Sequence, residues 1–385
     1  MTIVRALDIT MVIAGAGLGL ACQLDTDSEG GTLMLGRDTE TGTGDASGID
    51  SADSTGVELP EGPRRRRLDI DAAFAGGPGN ATLLVVLDPS RIEYDDTQPD
   101  GRDLRFFSAD DGTRYSAQIE RWEPGGISVV WVRLPEPILP DHLWMDYGDG
   151  EPFPAQDGDV WDESFDAVWH MDALGTAILD SSGTGNPLVA MNFTGELQAD
   201  GFIGGGVTID DTANDAGSSD GPLEVSEVGT LQLGDAMTLE AWVSVPETEV
   251  TAPQFAVLAD GAVELRTREP SNARPSMTVR TTGGPQRVEA GGSLGETWTY
   301  LVATYRSEDG TLLIHRNGAP EMSLVVAAQD RQLEDATHVL RVGAGMIGSL
   351  DEVRISSVAR SPSWIALQYA SMTDAVLSYG PPQER

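Results

Sequence analysis

The sequence contains a single cysteine, Cys22, and no lysine among its 385 residues. One cysteine excludes an internal disulfide framework and a zinc site built from several thiolates. The formal net charge is −38, with 62 acidic side chains against 24 basic ones, so every fixed side-chain cation is an arginine. Phosphate backbones and anionic lipids bind to cationic surfaces. The charge therefore argues against nucleic acid as a partner and permits cation binding.

Catalytic motifs are also lacking. The four histidines are scattered without metal-ligand spacing, and no serine-nucleophile motif lies beside them. The Glu-x-Asp-x-Glu spacing, which would place two acids on one strand face for glycoside hydrolysis, is absent as well. We therefore predict that the protein is not an enzyme, and we keep a carbohydrate-active enzyme as the weakest alternative.

The apolar run at residues 9–21 is too short to cross a bilayer, which takes roughly 20 residues. It is typical of a signal peptide, and its end, Leu18-Gly19-Leu20-Ala21-Cys22, resembles the lipobox of bacterial lipoproteins. The resemblance implies a signal peptide over residues 1–22 and a lipidated Cys22. Gln23 after the cysteine favours the outer membrane, with exposure to the periplasm or the cell surface. Secretion without an anchor and a cytosolic chain with a chance apolar start are the alternatives.

Residues 23–63 are rich in Gly, Ser, Thr, Asp and Glu and show no apolar period. Such a segment buries too little apolar surface to offset its ordering entropy, so we predict a disordered acidic linker. The linker would hold the following domains away from the membrane, which the protein would touch only through its lipid anchor.

Residues 64–150 are predicted to form a first β-sandwich, because short alternating strands recur with turn residues between them. The strands are expected at residues 81–87, 104–107, 114–122, 127–134 and 142–147. Four short sequence segments, in their order along the chain, resemble those of the family called domain of unknown function 2341. They are Asp103-Leu104-Arg105-Phe106, Ile119-Glu120-Arg121-Trp122, Val130-Trp131-Val132 and Tyr147-Gly148. No activity is attached to that family.

Residues 160–379 are predicted to form a second β-sandwich. Asn317-Gly318 and two similar pairs, Asp260-Gly261 and Gly283-Gly284, separate strands as two-residue hairpin turns do. The segment resembles the laminin-G-like, concanavalin A-like jelly rolls, on marks that include Val168-Trp169-His170, Glu240-Ala241-Trp242-Val243, Val302-Ala303-Thr304-Tyr305 and residues 348–356. The expected fold class is therefore all-β, with two β-sandwich domains of which the second is a concanavalin A-like jelly roll.

The stretch at residues 348–356 resembles the closing strand of those jelly rolls, which pairs with the opening strand. It contains an acidic pair, Asp351-Glu352. Because neighbouring residues of a regular strand point to opposite faces, we expect these two carboxylates to act separately.

A structural Ca²⁺ ion is what the resemblance implies for the polar turn at residues 180–186. Its ligands would be the side chains of Asp180 and Asp351, with backbone oxygens near Asn186. Oxygen-rich Asp and Asn turns suit Ca²⁺. The alternative is an Asx-turn with a hydrogen-bonded aspartate and no metal.

Trp242 and Glu240 share one strand face, and they are the candidate ligand-binding residues. If that face is open, Trp242 can stack on a sugar, and if it faces another layer, Trp242 belongs to the core, which is the favoured interpretation. We expect a non-catalytic cell-envelope lipoprotein that recognises a polysaccharide or a surface protein. A structural or adhesion spacer without sugar binding is the main alternative.

Overall fold

The computed structural model describes residues 63–148, 159–190, 193, 195–210, 223–225, 233–246, 253–259, 262–334 and 339–385. Residues 62–385 belong to one compact unit. The predicted signal peptide, Cys22 and nearly all of the predicted linker lie outside the described residues. Within the described part, no helix has the length and apolar character needed to cross a membrane.

The described residues of the first half of the compact unit form seven strands. They are β1 Arg64–Ile70, β2 Ala81–Leu87, β3 Arg105–Phe107, β4 Arg114–Tyr115, β5 Ala117–Arg121, β6 Ser128–Leu134 and β7 His142–Tyr147, with a 3-10 turn at Tyr94–Asp96.

Among the residues described in the second half are the remaining strands and one α-helix. The strands are β8 Phe165–Trp169, β9 Ala173–Leu174, β10 Ala177–Ile178, β11 Leu188–Ala190, β12 Gly195–Asp200, β13 Gly205–Asp210, β14 Leu223–Val225, β15 Ala236–Ser244, β16 Gln254–Ala259, β17 Val263–Arg268, β18 Ser276–Thr281, β19 Gly284–Glu289, β20 Thr299–Arg306, β21 Thr311–Arg316, β22 Ala319–Val325, β23 Leu340–Val342 and β24 Ile347–Ser356. A 3-10 turn at Ala328–Asp330, helix α1 at Pro362–Met372 and strands β25 Leu377–Tyr379 and β26 Gln383–Glu384 complete the chain.

Two sheets form the first sandwich. One has the order β25-β1-β7-β3-β4, with β26 also on β1, and the other has the order β2-β6-β5. Their facing side chains make one apolar core that includes Leu68, Val85, Val132 and Met145. The strand expected at residues 142–147 is confirmed, and β25 joins this sheet although it lies near the end of the chain.

Two larger sheets form the second sandwich. Their orders are β19-β18-β17-β16-β23-β14-β11-β10-β9 and β12-β13-β24-β15-β20-β21-β22, the latter with β8 paired to β24. The predicted pairing of closing and opening strands is confirmed, since Val353 lies opposite Trp169 and Ile355 opposite Ala167. The all-β prediction is confirmed, and residues Asn317 and Gly318 both have the positive φ that their hairpin turn requires.

A third apolar core joins the two sandwiches. In β2, Leu83 and Val85 face the first core, whereas Leu84 and Val86 face the third. The third core also contains Trp242 of β15 and residues of α1. A strand that is buried on both faces has a nearly continuous apolar sequence, because neither face is in contact with solvent. The sequence of β2 is apolar except at Thr82. The small sheet β2-β6-β5 is thus covered on both faces.

Candidate functional site

A β-bulge in β24 places two acids on the same face. Trp242 lies opposite Asp351 and Glu240 opposite Arg354, so two residues of β24 oppose the single residue between them. Glu352 has a φ of 49°, which is uncommon for a non-glycine residue. Asp351 and Glu352 both turn away from the inner core of the second sandwich, which their neighbours Leu350 and Val353 enter. The prediction that these two acids point to opposite faces was wrong, because the bulge breaks the strict alternation.

The two acids belong to a buried group of charged side chains between the sandwiches, which we call the seam cluster. Its members are Glu120 of β5, His170 just after β8, Glu240 of β15, and Asp351, Glu352 and Arg354 of β24. Antiparallel pairing of β24 with β15 and β8 brings the last five together. Glu120 reaches them from the small sheet of the first sandwich.

His170 lies between two carboxylates. Its Nδ1 atom is 2.7 Å from Oε1 of Glu352 and 3.4 Å from Oε2 of Glu120. Its ring stacks on Trp131 at 5.8 Å between centroids. The His170 and Glu120 side chains are only 7% and 4% exposed, and Glu352 is fully buried. Low exposure of this kind strengthens every charge interaction in the cluster.

Arg354 neutralises part of this acidity. It is fully buried, and its guanidinium donates to Oε2 of Glu352 from Nε at 3.1 Å and Nη2 at 2.5 Å. The same group lies 4.6 Å from the ring of Trp131 and 4.8 Å from that of Trp161. It also donates to Gln368 of α1 at 3.3 Å. One side chain of the closing strand thereby contacts the first sandwich and the helix.

The pKa values of the cluster follow from burial and from neighbouring charge. Burial raises the pKa of Glu120, and burial together with the charge of Glu352 raises that of Asp351 well above its usual range. Burial disfavours ionisation of Glu352 too, but His170 and Arg354 outweigh it and hold its pKa low. Burial likewise opposes a charged His170, and the charges of Glu352 and Glu120 overcome it, so the pKa of His170 is raised.

A polar pocket of about 300 Å³ opens beside the cluster, at the seam of the two sandwiches. Its lining consists of Glu120, Arg121, Asp172, Gln198, Ala199, Asp200, Gly204 and Gly205. Three acidic residues and one arginine therefore line a single concave surface. Glu120 belongs to both the pocket and the cluster, so the pocket gives solvent a route toward the buried group.

Glycines bring the backbone of the second sandwich close to these carboxylates. A Cβ atom on Gly204 would lie 2.2 Å from Oε1 of Glu120, and Gly204 has a φ of +57°. A Cβ atom on Gly205 would lie 3.0 Å from Oδ1 of Asp172. Any larger side chain at Gly204 would displace Glu120, so the pocket shape depends on that glycine.

The predicted ligand-binding residues are covered. Trp242 is 1% exposed, and its ring stacks on Phe202 with centroids 3.6 Å apart. Its Nε1 donates toward Sδ of Met372 at 3.2 Å. Glu240 is fully buried and accepts a hydrogen bond from the hydroxyl of Tyr300. The favoured interpretation of Trp242 as a core residue agrees with this position, and neither side chain is open to a ligand here.

The structure gives the three predicted calcium ligands separate roles. The carboxylate of Asp180 accepts hydrogen bonds from its own turn and from the Val168 backbone, the geometry of an Asx-turn. Asp351 accepts from the backbone of Ile203 at 2.7 Å. Asn186 lies in the turn with Asp180, and its buried Oδ1 has no hydrogen-bond partner in the part of the chain that the structure describes. Asp180 and Asn186 thus lie together in the turn, whereas Asp351 accepts hydrogen bonds from other groups. The calcium site stays a prediction.

Sequence reasoning missed the most highly charged part of the site. Glu120 and His170 lie in two different segments, each of which was used only to recognise a family resemblance. No pattern in the sequence around either residue indicates that their side chains meet. Asp166 was missed as well. It lies near Asp180, and burial followed by the charge of Asp180 raises its pKa to about 6. The sequence of β8 gives no sign of this, because Asp166 is only half-buried and alternates with the buried residues Phe165 and Ala167.

Comparison with known sequence families finds two matches. Residues 100–174 match a domain of unknown function, DUF2341, and residues 216–366 match the concanavalin A-like lectin/glucanases superfamily. Both predicted resemblances and their order are confirmed. Glu120 and His170 fall in the first matched segment, whereas Glu240, Glu352 and Arg354 fall in the second.

Two of the solved structures that resemble the chain are toxin binding domains. The binding domain of Paraclostridial Mosquitocidal Protein 1 is 13% identical, with a TM-score of 0.44 over 54% of this chain and 52% of that one. The binding domain of botulinum neurotoxin DC in complex with SialylT is 12% identical, with a TM-score of 0.41 over 55% and 51%. The chain thus spans about half the length of these proteins, and likeness at this level carries no function across. A comparison with curated proteins gives no match.

Proposed function

We propose that this protein is a non-catalytic carbohydrate-recognition protein whose binding site is the seam pocket. The observation that carries the proposal is the pocket itself, which lies at the seam of the two sandwiches and is lined by three acidic residues and one arginine. Strands β12 and β13, which contribute to its lining, belong to the same sheet as β24 of the segment that matches the concanavalin A-like lectin/glucanases superfamily. Ionised carboxylates only accept hydrogen bonds and guanidinium groups only donate them. Hydroxyl groups of a sugar can satisfy both, since each hydroxyl donates and accepts.

The position and size of the pocket support the same function. Ligand sites occur preferentially between domains, and pockets of about 300 Å³ are at the small end of those that hold small molecules. One or two sugar units of a polysaccharide would fit there. The proposal places the ligand at the seam and not on the face that contains Trp242.

The setting of the protein is part of the proposal. A signal peptide and a lipidated Cys22 would anchor the chain to the cell envelope, with residues 23–63 as the tether. The partner would be a polysaccharide or a glycosylated surface protein. The support for this setting is the apolar run followed by the Ala21-Cys22 pair.

Binding of the full chain to a panel of polysaccharides, measured by affinity electrophoresis, tests the proposal. A variant with Asp172→Asn and Asp200→Asn keeps the pocket's shape and removes two acceptor charges. We expect it to bind about tenfold or more weakly, because hydrogen bonds to charged groups are the stronger ones. Asp210→Asn, an exposed change at the end of β13, is the matched control.

Two results would contradict the proposal. The first is a lack of binding to every polysaccharide in the panel, which would favour a structural or adhesion spacer. The second is equal binding by the double variant and the wild type. Release of reducing sugar that is lost in Glu120→Gln would instead identify a carbohydrate-active enzyme.

A further inference from the structure

Three potential metal ligands meet inside the seam cluster. A carboxylate oxygen of Glu120, a ring nitrogen of His170 and a carboxylate oxygen of Glu352 all lie within 4.8 Å of one another. They come from three separate strands or strand ends, so the fold and not a local motif brings them together. We propose that these three residues bind a divalent transition-metal ion, with Zn²⁺ as the best-fitting probe.

The distances allow one ion to contact all three groups. Ligand atoms about 2.1 Å from a tetrahedral Zn²⁺ lie about 3.4 Å apart. His170 Nδ1 and Glu120 Oε2 already have a separation of 3.4 Å. His170 Nδ1 and Glu352 Oε1 are 2.7 Å apart, so this pair has to open by a fraction of an ångström.

Neighbouring groups form hydrogen bonds with the proposed ligands, as the residues around the ligands of a metal site do. Arg354 binds the far oxygen of Glu352 and leaves Oε1 directed at His170. Trp131 donates to Oε2 of Glu120 at 2.6 Å. Oε1 of Glu120 is buried and has no hydrogen-bond partner among the described residues. Such partners fix ligand orientation, and an unsatisfied buried oxygen is an available acceptor for a cation.

The charge of the cluster favours a cation. Four buried carboxyl groups, those of Glu120, Glu240, Asp351 and Glu352, are packed around one arginine and one histidine. A divalent ion would compensate the charge of the carboxylates that bind it.

The ligand set also selects the class of metal. Ca²⁺ and Mg²⁺ prefer oxygen alone, whereas one imidazole with two carboxylates suits Zn²⁺ or Mn²⁺. The proposed ion is thus distinct from the calcium predicted near Asp180. Glu120 lines the seam pocket, which provides an entry path and room for a water ligand.

The test is zinc binding by the full chain, produced without a histidine tag and stripped with a chelator. Elemental analysis and titration calorimetry should find about one Zn²⁺ per chain in the wild type. We expect His170→Gln and Glu120→Gln to weaken binding by at least about 100-fold, more than the loss of an outer partner usually costs. His142→Gln, on β7 in the first sandwich, is the matched control and should bind as the wild type does.

Absence of zinc from the wild type after loading would overturn the proposal, and so would equal binding by His170→Gln. Circular dichroism shows whether each variant is folded. If a variant unfolds, X-ray absorption of the zinc-loaded wild type decides the question. One imidazole and a remainder of oxygen ligands is the expected result, and two imidazoles or none would contradict it.

Discussion

At the residue scale, the stability of the seam depends on charges that are buried together. Arg354 is the fully buried cation that reaches Glu352, Gln368 and two tryptophans. A buried ion pair adds little when compared with apolar packing, but removing one partner leaves the other charge uncompensated. Replacing one charged residue of the seam cluster should therefore lower the free energy of unfolding by much more than the intact ion pair raises it.

Arg354→Met should lower the free energy of unfolding by about 3–5 kcal/mol, because Glu352 is then left without its arginine. Urea unfolding followed by tryptophan fluorescence measures this change. Arg306→Met removes an arginine of the same sheet whose pair with Asp309 is exposed, and it should cost less than about 1 kcal/mol. Similar losses in the two variants would show that the seam cluster is not the source of the effect.

His315 should make stability depend on pH. It is fully buried on β21, and neither ring nitrogen has a hydrogen-bond partner within the described ranges. Burial lowers its pKa to about 4. The folded-state pKa is thus below that of the unfolded chain, about 6.5, so the unfolded chain binds more protons between these values. The stability linked to His315 is complete above pH 6.5 and is lost as the pH falls toward 4, by about 3 kcal/mol in total.

The difference between wild type and His315→Leu isolates this effect from groups such as Asp166 that titrate in the same range. Urea unfolding of both proteins at several pH values between neutrality and pH 4 provides the comparison. The wild type should lose stability relative to the variant as the pH falls. Parallel curves for the two proteins would mean that His315 accepts a proton in the folded state.

Single residues were the hardest feature to predict from the sequence. Alternation assigned Asp351 and Glu352 to opposite faces, and one bulge reversed the orientation of one of them. Bulges depend on the pairing of neighbouring strands, which no single strand encodes. Glu120 and His170 meet for the same kind of reason, since their contact requires two sheets to pack.

At the element scale, alternation and turn residues were reliable guides. The predicted strand at residues 81–87 and the closing strand were found with the expected bounds, to within one residue. Ser361 caps the N-terminus of α1, where its side chain accepts a hydrogen bond from the backbone of Trp364. The pairing of β25 with β1 was not foreseen, because a three-residue strand has too little pattern to identify its partner.

Leu377→Ala should destabilise the protein by about 2–5 kcal/mol, because Leu377 of β25 is buried in the core of the first sandwich. Ser378→Ala changes the next residue, which is exposed, and should cost less than about 0.5 kcal/mol. Urea midpoints of the two variants give the comparison. Small and equal shifts of the two urea midpoints would show that β25 contributes little to the stability of that core.

At the scale of the whole molecule, the described sheets pack against one another through shared apolar cores and do not form two separate domains. β2 contributes to two cores, and α1 places Leu367 in one and Trp364 in another. The sequence indicated two sandwiches but not the surface between them. The sequence of an apolar strand such as β2 does not show whether the strand packs in one core or between two.

This arrangement predicts that residues 62–385 unfold in one cooperative transition. Differential scanning calorimetry of the full chain should show a single peak, with calorimetric and van't Hoff enthalpies equal. Two resolved peaks, with the first abolished by Leu377→Ala alone, would instead show that the two sandwiches are independent folding units.

Hydrogen–deuterium exchange of the full chain, with and without its best-binding oligosaccharide, tests the seam pocket most directly. We predict slower exchange in β5 and in residues 195–205, the backbone that surrounds Glu120 and Gly204. Protection confined to strands β16–β19 of the far sheet, or no protection anywhere, would contradict the assignment of the binding site.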